Sequence, residues 1–325
     1  MIQRTHINKV STMVDQEVSI AGFVQSLRDQ GNLKFLNIRD ITGIIQIVVL
    51  KNNEQPFEAC KTLATESVVK IDGLVKNAPK APGGIEIEAY NLEVLSKSDP
   101  VLPIPVVEEK FGGETDLPKR LDYRWIDLRK QHNTEIFKVW TQLEKGVRDH
   151  FLNNGYMQFY SPSLMSAASE GGSEFFKVIY FEREAFLAQS PQFYKQMAMA
   201  SGFERVFAVG PVFRAEPSFT TRHLTEFTGW DFEISYIDSH HDVMDQEELM
   251  LISGFQNVKD TIMPDLEVPK QGFPRITMSE AKTKLKAAGI NGEKEHDLSP
   301  EEERAISKMI KEETGHDFVF ITDYH

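Results

Sequence analysis

Two rhythms of apolar residues divide the chain. Over the first hundred residues these residues fall in short strand-like runs with one helical stretch. Glu17–Leu27, Leu33–Asp40 and Gly43–Leu50 are rich in β-branched and aromatic residues and are punctuated by Gly31 and Gly43, as strands joined by short turns should be. Glu54–Ala64 reads as a short helix, and Ser67–Lys76 and Gly84–Leu95 as two further strands across the turn Ala78-Pro79-Lys80-Ala81-Pro82-Gly83. Three strands, a helix and two strands fit a five-stranded OB β-barrel better than a small β sandwich, because the helix follows the third strand. The barrel domain is expected over residues 1–98.

Beyond it, Asp99-Pro100-Val101-Leu102-Pro103-Ile104-Pro105 opens a stiff linker or hinge over residues 99–132, its prolines favouring extended backbone. A helical rhythm then takes over. Ile136, Trp140, Leu143, Val147 and Phe151 recur at helical spacing, and Asn153-Asn154-Gly155 stops that helix as a left-handed cap does. Tyr156–Tyr160 reads as a strand running into Ser161-Pro162, and Ser190-Pro191 predicts an N-cap and first-turn proline for a helix through Ala200. Val206–Glu216 and Glu226–Tyr236 predict a long antiparallel pair joined by an exposed loop. Ser299-Pro300-Glu301-Glu302 is a capping box opening a later helix. Residues 133–325 thus form a second, α+β domain. No internal repeat or low-complexity segment interrupts it.

Composition narrows the classes. Hydrophobic residues make up 41% and charged residues 26%, the balance of a soluble globular protein. No apolar run reaches the ~18 residues of a membrane span. Met1–His6 has no apolar stretch behind its charge, so no signal peptide is expected there. A single cysteine, Cys60, excludes an internal disulfide framework and a cysteine-based zinc site. The expected address is cytoplasmic, with no membrane partner. Net charge of −13 argues against nucleic acid, but residues 1–110 hold 12 Lys/Arg against 14 Asp/Glu, while the other 215 hold 24 against 35. Part of that later excess is a solvated acidic helix near Glu301-Glu302-Glu303. A nearly neutral first domain can still carry a local basic groove.

The chemistry concentrates in the antiparallel pair. Residues two apart on a strand share a face, so Arg214 and Glu216 point one way. On the partner strand Phe227, Asp231 and Glu233 share a face, with Gly229 leaving room between them, and Phe232, Ile234 and Tyr236 fall on the opposite, core-like face. Arg, Glu, Phe, Asp and Glu together make a poor core surface, because unpartnered buried charges are costly. From pattern alone a solvated sheet face remains the alternative.

Four segments carry a family resemblance that covers essentially the whole chain. Phe213-Arg214-Ala215-Glu216 with Thr220-Thr221-Arg222-His223-Leu224-Thr225-Glu226-Phe227 resembles motif 2 of the class II aminoacyl-tRNA synthetases. Tyr156-Met157-Gln158-Phe159-Tyr160-Ser161-Pro162 behind its helix resembles motif 1. Ser169-Glu170-Gly171-Gly172-Ser173-Glu174-Phe175 resembles the mobile loop over the amino acid. Phe186-Leu187-Ala188-Gln189-Ser190-Pro191-Gln192-Phe193-Tyr194-Lys195 resembles the pocket of the aspartyl-tRNA synthetases of archaeal and eukaryotic type. The implied fold is an OB anticodon-binding barrel followed by a class II antiparallel-sheet catalytic domain.

The resemblance implies ligation of L-aspartate to tRNA through aspartyl-adenylate, with ATP as substrate. Arg214 bridges the α-phosphate and the substrate carboxylate, a task suited to a planar, permanently charged fork. Glu216 accepts from the adenine amino group and Phe227 stacks on its ring, while Arg222, His223 and Leu224 complete the ATP contacts. Lys195, oriented by Asp231, faces the aspartate side chain, and Glu170 and Gln192 bind its α-ammonium. For Lys195 a surface lysine on an amphipathic helix is the alternative. Phe35, Gln46 and Arg28 contact the anticodon, with core packing the competing role for Phe35. A homodimer through the motif 1 helix and strand, where Trp140, Val147 and Pro162 stand, is also implied. The glycine-rich motif 3 and the acidic Mg2+ ligands of the family find no counterpart before His325. No metal ligands are therefore assigned within this chain, and aminoacylation by it alone is not expected to be efficient. Two alternatives stand: asparaginyl-tRNA synthetase, and a non-catalytic tRNA-binding or regulatory relative. In relatives, the positions matching Gln25 and Pro82 are associated with charging aspartate tRNA alone or asparagine tRNA as well.

Overall fold

Strands with one side turned to a closed interior build the first unit. In β4 (Val68–Asn77) Val69, Ile71 and Val75 are buried while Lys70, Asp72 and Lys76 are not. β2 (Leu33–Asp40) alternates as well, β1 (Glu17–Asp29) and β5 (Ile85–Ser96) do so over part of their length, and β3 (Gly43–Leu50) is buried at every residue from Ile45 to Val49. These strands close a barrel in the order β1-β2-β3-β5-β4. Its core is aliphatic, from Val18, Ile20 and Leu36 to Ile71, Ile87 and Leu92. Helices α1 (Ile7–Val10) and α2 (Glu54–Ala59) add Ile7, Val10 and Phe57 to it. Gly73 sits where β4 shifts register against β5, and a Cβ there would lie 2.5 Å from the Glu88 carbonyl oxygen. The expected helix through Ala64 ends its α-helical part at Ala59 and finishes as a single 3-10 turn, Cys60–Thr62.

This computed structural model describes residues 3–107, 114–167, 175–215, 224–292, 294 and 296–324. The chain forms two compact units, Met1–Thr134 and Glu135–His325. The segment read as a linker is more built than its prolines suggest. Ile104, Val106 and Ile126 form a small core with Leu102 and Tyr123, supported by helices α3 (Leu117–Asp122) and α4 (Arg124–Asp127). The fully buried Asp127 gathers Arg120, Arg124 and Lys130. Arg129 then reaches Glu66 of the barrel at 3.1 Å, and Arg39 reaches it at 2.8 Å. Both guanidinium groups lie over Phe23.

In the second unit, α5 (Gln131–Asn153) ends as its sequence predicts. Gly155 takes φ +78° and the Tyr156 amide donates back to the Phe151 carbonyl. Strand β6 (Met157–Phe159) lies parallel to β10 (Arg205–Phe213), which pairs antiparallel with β11 (Glu226–Ile234). Val147, Phe151, Tyr156 and Phe207 form the core behind this sheet, with Trp230, Phe232 and Ile234 packed on them. Helix α7 (His240–Thr261) approaches α5 closely at glycines. A Cβ on Gly146 would stand 2.5 Å from the Ser253 carbonyl. β7 (Leu164–Met165), β8 (Lys177–Tyr180) and β9 (Arg183–Leu187) form a small antiparallel sheet leading into α6 (Gln192–Ala200). The last part pairs β12 (Arg275–Thr277) with β13 (Phe320–Thr322) beside α8 (Met278–Ala287) and α9 (Pro300–Thr314).

Three sequence expectations are corrected by packing. Tyr236 lies beyond the end of β11, at φ +58° and 91% exposed, so it is not core. Val147, expected beside Trp140 at a two-fold contact, packs in the core of this unit, while Ile136 and Trp140 are exposed. The acidic start of α9 is not wholly solvated. Glu302 is buried, capping Ser299 N at 2.8 Å and pairing with Lys282 at 2.7 Å. Those contacts hold its carboxyl below the ordinary range although burial pushes it up.

Candidate active site and nucleic-acid interface

Paired residues of an antiparallel ladder share a face. The register Val206–Glu233, Ala208–Asp231, Gly210–Gly229 and Val212–Phe227 therefore lays acids, glycines and a phenylalanine on one side of β10 and β11. Phe207, Phe232, Val209 and Trp230 occupy the other side, where Phe151 stacks 4.8 Å from Phe207. Gly210 and Gly229 face each other, so the middle of the front face is bare backbone. At Gly229 a Cβ would lie 3.1 Å from Asp231 Oδ2. The glycine thus keeps both a space and the position of the neighbouring carboxylate.

Helix α6 supplies the cation. Its start differs by one residue from the expected cap. Pro191 is the N-cap residue, its carbonyl accepts from Lys195 N at 3.0 Å, and Ser190 Oγ accepts from Gln192 N at 3.3 Å. Lys195 is turned inward and is 6% exposed, unlike a solvated lysine on an amphipathic helix. Its Nζ donates to Asp231 Oδ1 at 3.1 Å and to the Phe232 carbonyl at 3.5 Å, and pairs with Glu233 Oε2 at 3.4 Å. Gln192 stands one turn earlier, half-buried. The outer face of α6, with Phe193, Gln196, Met197 and Ala200, instead lines an open cavity of about 460 Å³ with Met165, Ser166 and Ala167.

At the other end of the face, Arg214 continues β10, its amide donating to the Thr225 carbonyl at 3.0 Å. Its guanidinium lies 5.7 Å from the Phe227 ring centre, within cation–π range. The structure thus brings together Arg214 with Phe227, and Lys195 with Asp231. Leu224 is described and exposed. Glu170, Glu216, Arg222 and His223 lie outside the described residues. Glu233 shared the face in the sequence pattern, but nothing in the sequence tied it to Lys195, 38 positions earlier. Among the described residues no three His, Cys, Asp or Glu side chains group as a metal site.

On the barrel, Arg28, Phe35 and Gln46 also share one outer face. Arg28 pairs with Phe35, Phe35 with Val48, and Asn37 with Gln46. Phe35 is half-buried and stands outside the barrel core, with Arg28 6.0 Å from its ring centre. Gln46 is 7% exposed and donates through Nε2 to Glu86 Oε2 at 2.9 Å. Glu86 and Glu88 therefore extend this face across β5. Their alternation in Ile85-Glu86-Ile87-Glu88 was the available signal, and the sequence reading passed over it. Gln25 sits at the register shift of β1, and Pro82 opens the turn Pro82–Gly84. Among the described residues no helix is long and apolar enough to cross a membrane.

Comparison with known proteins gives this arrangement a family. The family described as tRNA synthetases class II (D, K and N) matches residues 116–325, and the OB-fold nucleic acid binding domain matches residues 18–95. An aspartate–tRNA(Asp/Asn) ligase of Methanopyrus kandleri is 41% identical over 309 residues, covering 91% of this chain and 70% of the relative. An aspartate–tRNA(Asp) ligase of Pyrococcus furiosus is 37% identical, covering 99% of this chain and 75% of the relative. Among solved structures, asparaginyl-tRNA synthetase from Pyrococcus horikoshii complexed with asparaginyl-adenylate aligns with a TM-score of 0.85 at 34% identity, covering 95% of this chain and 73% of that one. The aspartyl tRNA synthetase from Entamoeba histolytica aligns with a TM-score of 0.84 at 27% identity, covering 98% and 70%. This chain belongs to the class II tRNA synthetases of the D, K and N group, in the family of the aspartate–tRNA ligases.

Proposed function

We propose that this protein activates L-aspartate with ATP and transfers it to tRNA. The observation that carries this reading is the buried Lys195, paired with Asp231 beside the bare floor of Gly210 and Gly229. A buried cation on a small pocket selects a carboxylate side chain, since a neutral amide forms no ion pair with it. In activation the α-carboxylate of the amino acid attacks the α-phosphorus of ATP and pyrophosphate leaves. Charge builds on the phosphoryl oxygens, and Arg214 neutralises it from its place at the end of β10. Phe227 offers its ring to the adenine, with Glu216, Arg222, His223 and Leu224 as the further ATP contacts. Glu170 and Gln192 take the α-ammonium. A hydroxyl at the tRNA 3′ end then attacks the acyl carbonyl and AMP leaves.

The barrel face with Arg28, Phe35 and Gln46 binds the anticodon, by stacking on Phe35 and polar contacts around it. The enzyme acts as a cytoplasmic homodimer. Strand β6 edges its sheet, and the exposed Ile136, Phe137 and Trp140 leave an apolar stripe on α5, the kind of surface a two-fold contact covers. Val147 belongs to the core instead. Asparaginyl-tRNA synthetase is the second reading, favoured by the Pyrococcus horikoshii alignment. ATP–pyrophosphate exchange with aspartate and asparagine as paired substrates decides between them. Exchange driven by aspartate supports the proposal, and exchange driven by asparagine alone overturns it.

A further inference from the structure

An ammonium group has three protons to donate. Around Lys195 Nζ three acceptors stand at 3.1 Å (Asp231 Oδ1), 3.4 Å (Glu233 Oε2) and 3.5 Å (Phe232 carbonyl). Asp231 and the Phe232 carbonyl accept hydrogen bonds from Nζ and Glu233 pairs with it, so two carboxylates already crowd one ammonium. A third carboxylate cannot simply be added. One of the three must yield, and the arrangement indicates which.

Asp231 makes the shortest contact, and its other oxygen is lodged against Gly229, where even a Cβ would come within 3.1 Å. The Phe232 carbonyl is fixed by the strand. Both carboxylates are 26% exposed, but Glu233 has one more methylene and the longer contact, so it is the one whose side chain can swing away toward water. We propose that Glu233 is a placeholder for the substrate: it pairs with the Lys195 ammonium, and the side-chain carboxylate of the amino acid displaces it. This rests on the aspartate reading above and assigns Glu233 a specificity role within it.

The consequence is a threshold for entry. Aspartate exchanges one ion pair for another, whereas asparagine exchanges an ion pair for a hydrogen bond to an uncharged acceptor, which is weaker. The ammonium meanwhile never stands buried and unpaired. Glu233 thus weakens the affinity for every ligand while keeping out those without a full negative charge, a repulsive device alongside the attractive one.

The test compares Glu233→Gln with the parent in aspartate-dependent ATP–pyrophosphate exchange, with binding of succinate, which lacks the α-ammonium, followed in parallel by calorimetry. A brace that merely held Lys195 would on removal weaken binding. A placeholder on removal strengthens it. The expected result is a fall in aspartate KM and in succinate Kd by about tenfold, the difference between a charged and a neutral acceptor. Glu233→Asp, which keeps the charge but shortens the reach, should fall between the two and covers the case of a poorly folded glutamine variant. Equal or weaker binding by folded Glu233→Gln, in a protein whose parent uses aspartate, overturns this proposal alone. A parent whose exchange is driven by asparagine and not by aspartate overturns the functional reading and this proposal with it.

Discussion

Replacing Lys195 with Met keeps the length of the side chain and removes its charge, which isolates the electrostatic role. In the parent, Lys195 holds Asp231 and Glu233, both about a quarter exposed at 26%. The substrate loses one charge-assisted bond, worth ~1.5–3 kcal/mol. It also meets two carboxylates no longer screened by a cation, and one such repulsion at ~4 Å is about 4 kcal/mol at an effective dielectric of 20, before partial exposure trims it. The sum expected is about 3–5 kcal/mol of lost transition-state stabilisation, roughly two to four powers of ten in kcat/KM for aspartate. Adenine-nucleotide affinity should stay within about twofold, because Arg214 and Phe227 sit at the other end of the face. The assay is pyrophosphate exchange across a range of aspartate concentrations, with nucleotide binding measured separately. Exchange by Lys195→Met at near-parental kcat/KM would refute the placement of the pocket.

Three further outcomes follow from the geometry. Phe35→Ala should weaken tRNA binding by ~1–3 kcal/mol without affecting ATP binding, because Phe35 lies outside the barrel core; unchanged affinity in a filter-binding titration would mean the ring only packs. At Asp127, burial pushes the carboxyl up, but hydrogen bonds and charge from Arg120, Arg124 and Lys130 outweigh it and hold it below the ordinary range. Its contribution is therefore complete above the unfolded value of about pH 4 and is lost as pH falls through the lower folded value. Urea titrations of Asp127→Asn should show a loss of about 2–3 kcal/mol at pH 7 that shrinks in acid, and a pH-independent loss would contradict the assignment. Burial pushes the Cys60 thiol up to about 11, so a disulfide reagent at pH 8 should label it only after denaturant is added, and rapid labelling of the folded protein would count against its burial.

Much of this was legible in the sequence where one rule acts alone. The barrel strands β2 and β3 match their expected bounds, because their β-branched and aromatic runs are cut by glycine-marked turns. The end of α5 was equally plain, since the asparagine–glycine signal acts locally. The misses have a common cause. Val147 was expected with Trp140 on a subunit contact, yet it packs in the core of this unit while Trp140 stands exposed. Periodicity reports that a face is apolar and is silent on what covers it. Glu233 and Glu86 were missed for a related reason. Each acts through a side chain about forty positions away, Lys195 and Gln46, and no local pattern encodes such a meeting.

The two faces of β10 and β11 explain why a charged site can persist on so small a sheet. Behind it, Phe151 lies 4.8 Å from Phe207 and 5.5 Å from Phe232, while Phe207 stacks on Trp230 at 6.3 Å. Truncating one such buried ring costs about 3–5 kcal/mol, so this stack anchors both strands without help from the front. The front is then free to carry residues that destabilise. Two carboxylates share one ammonium there, and two glycines contribute no packing at all. Parity along β11 separates the duties: Phe232 and Ile234 hold the strand, while Asp231 and Glu233 spend their side chains on the pocket. Removing the charge of Asp231 or Glu233 should therefore move binding more than stability, and truncating Trp230 or Phe232 the reverse.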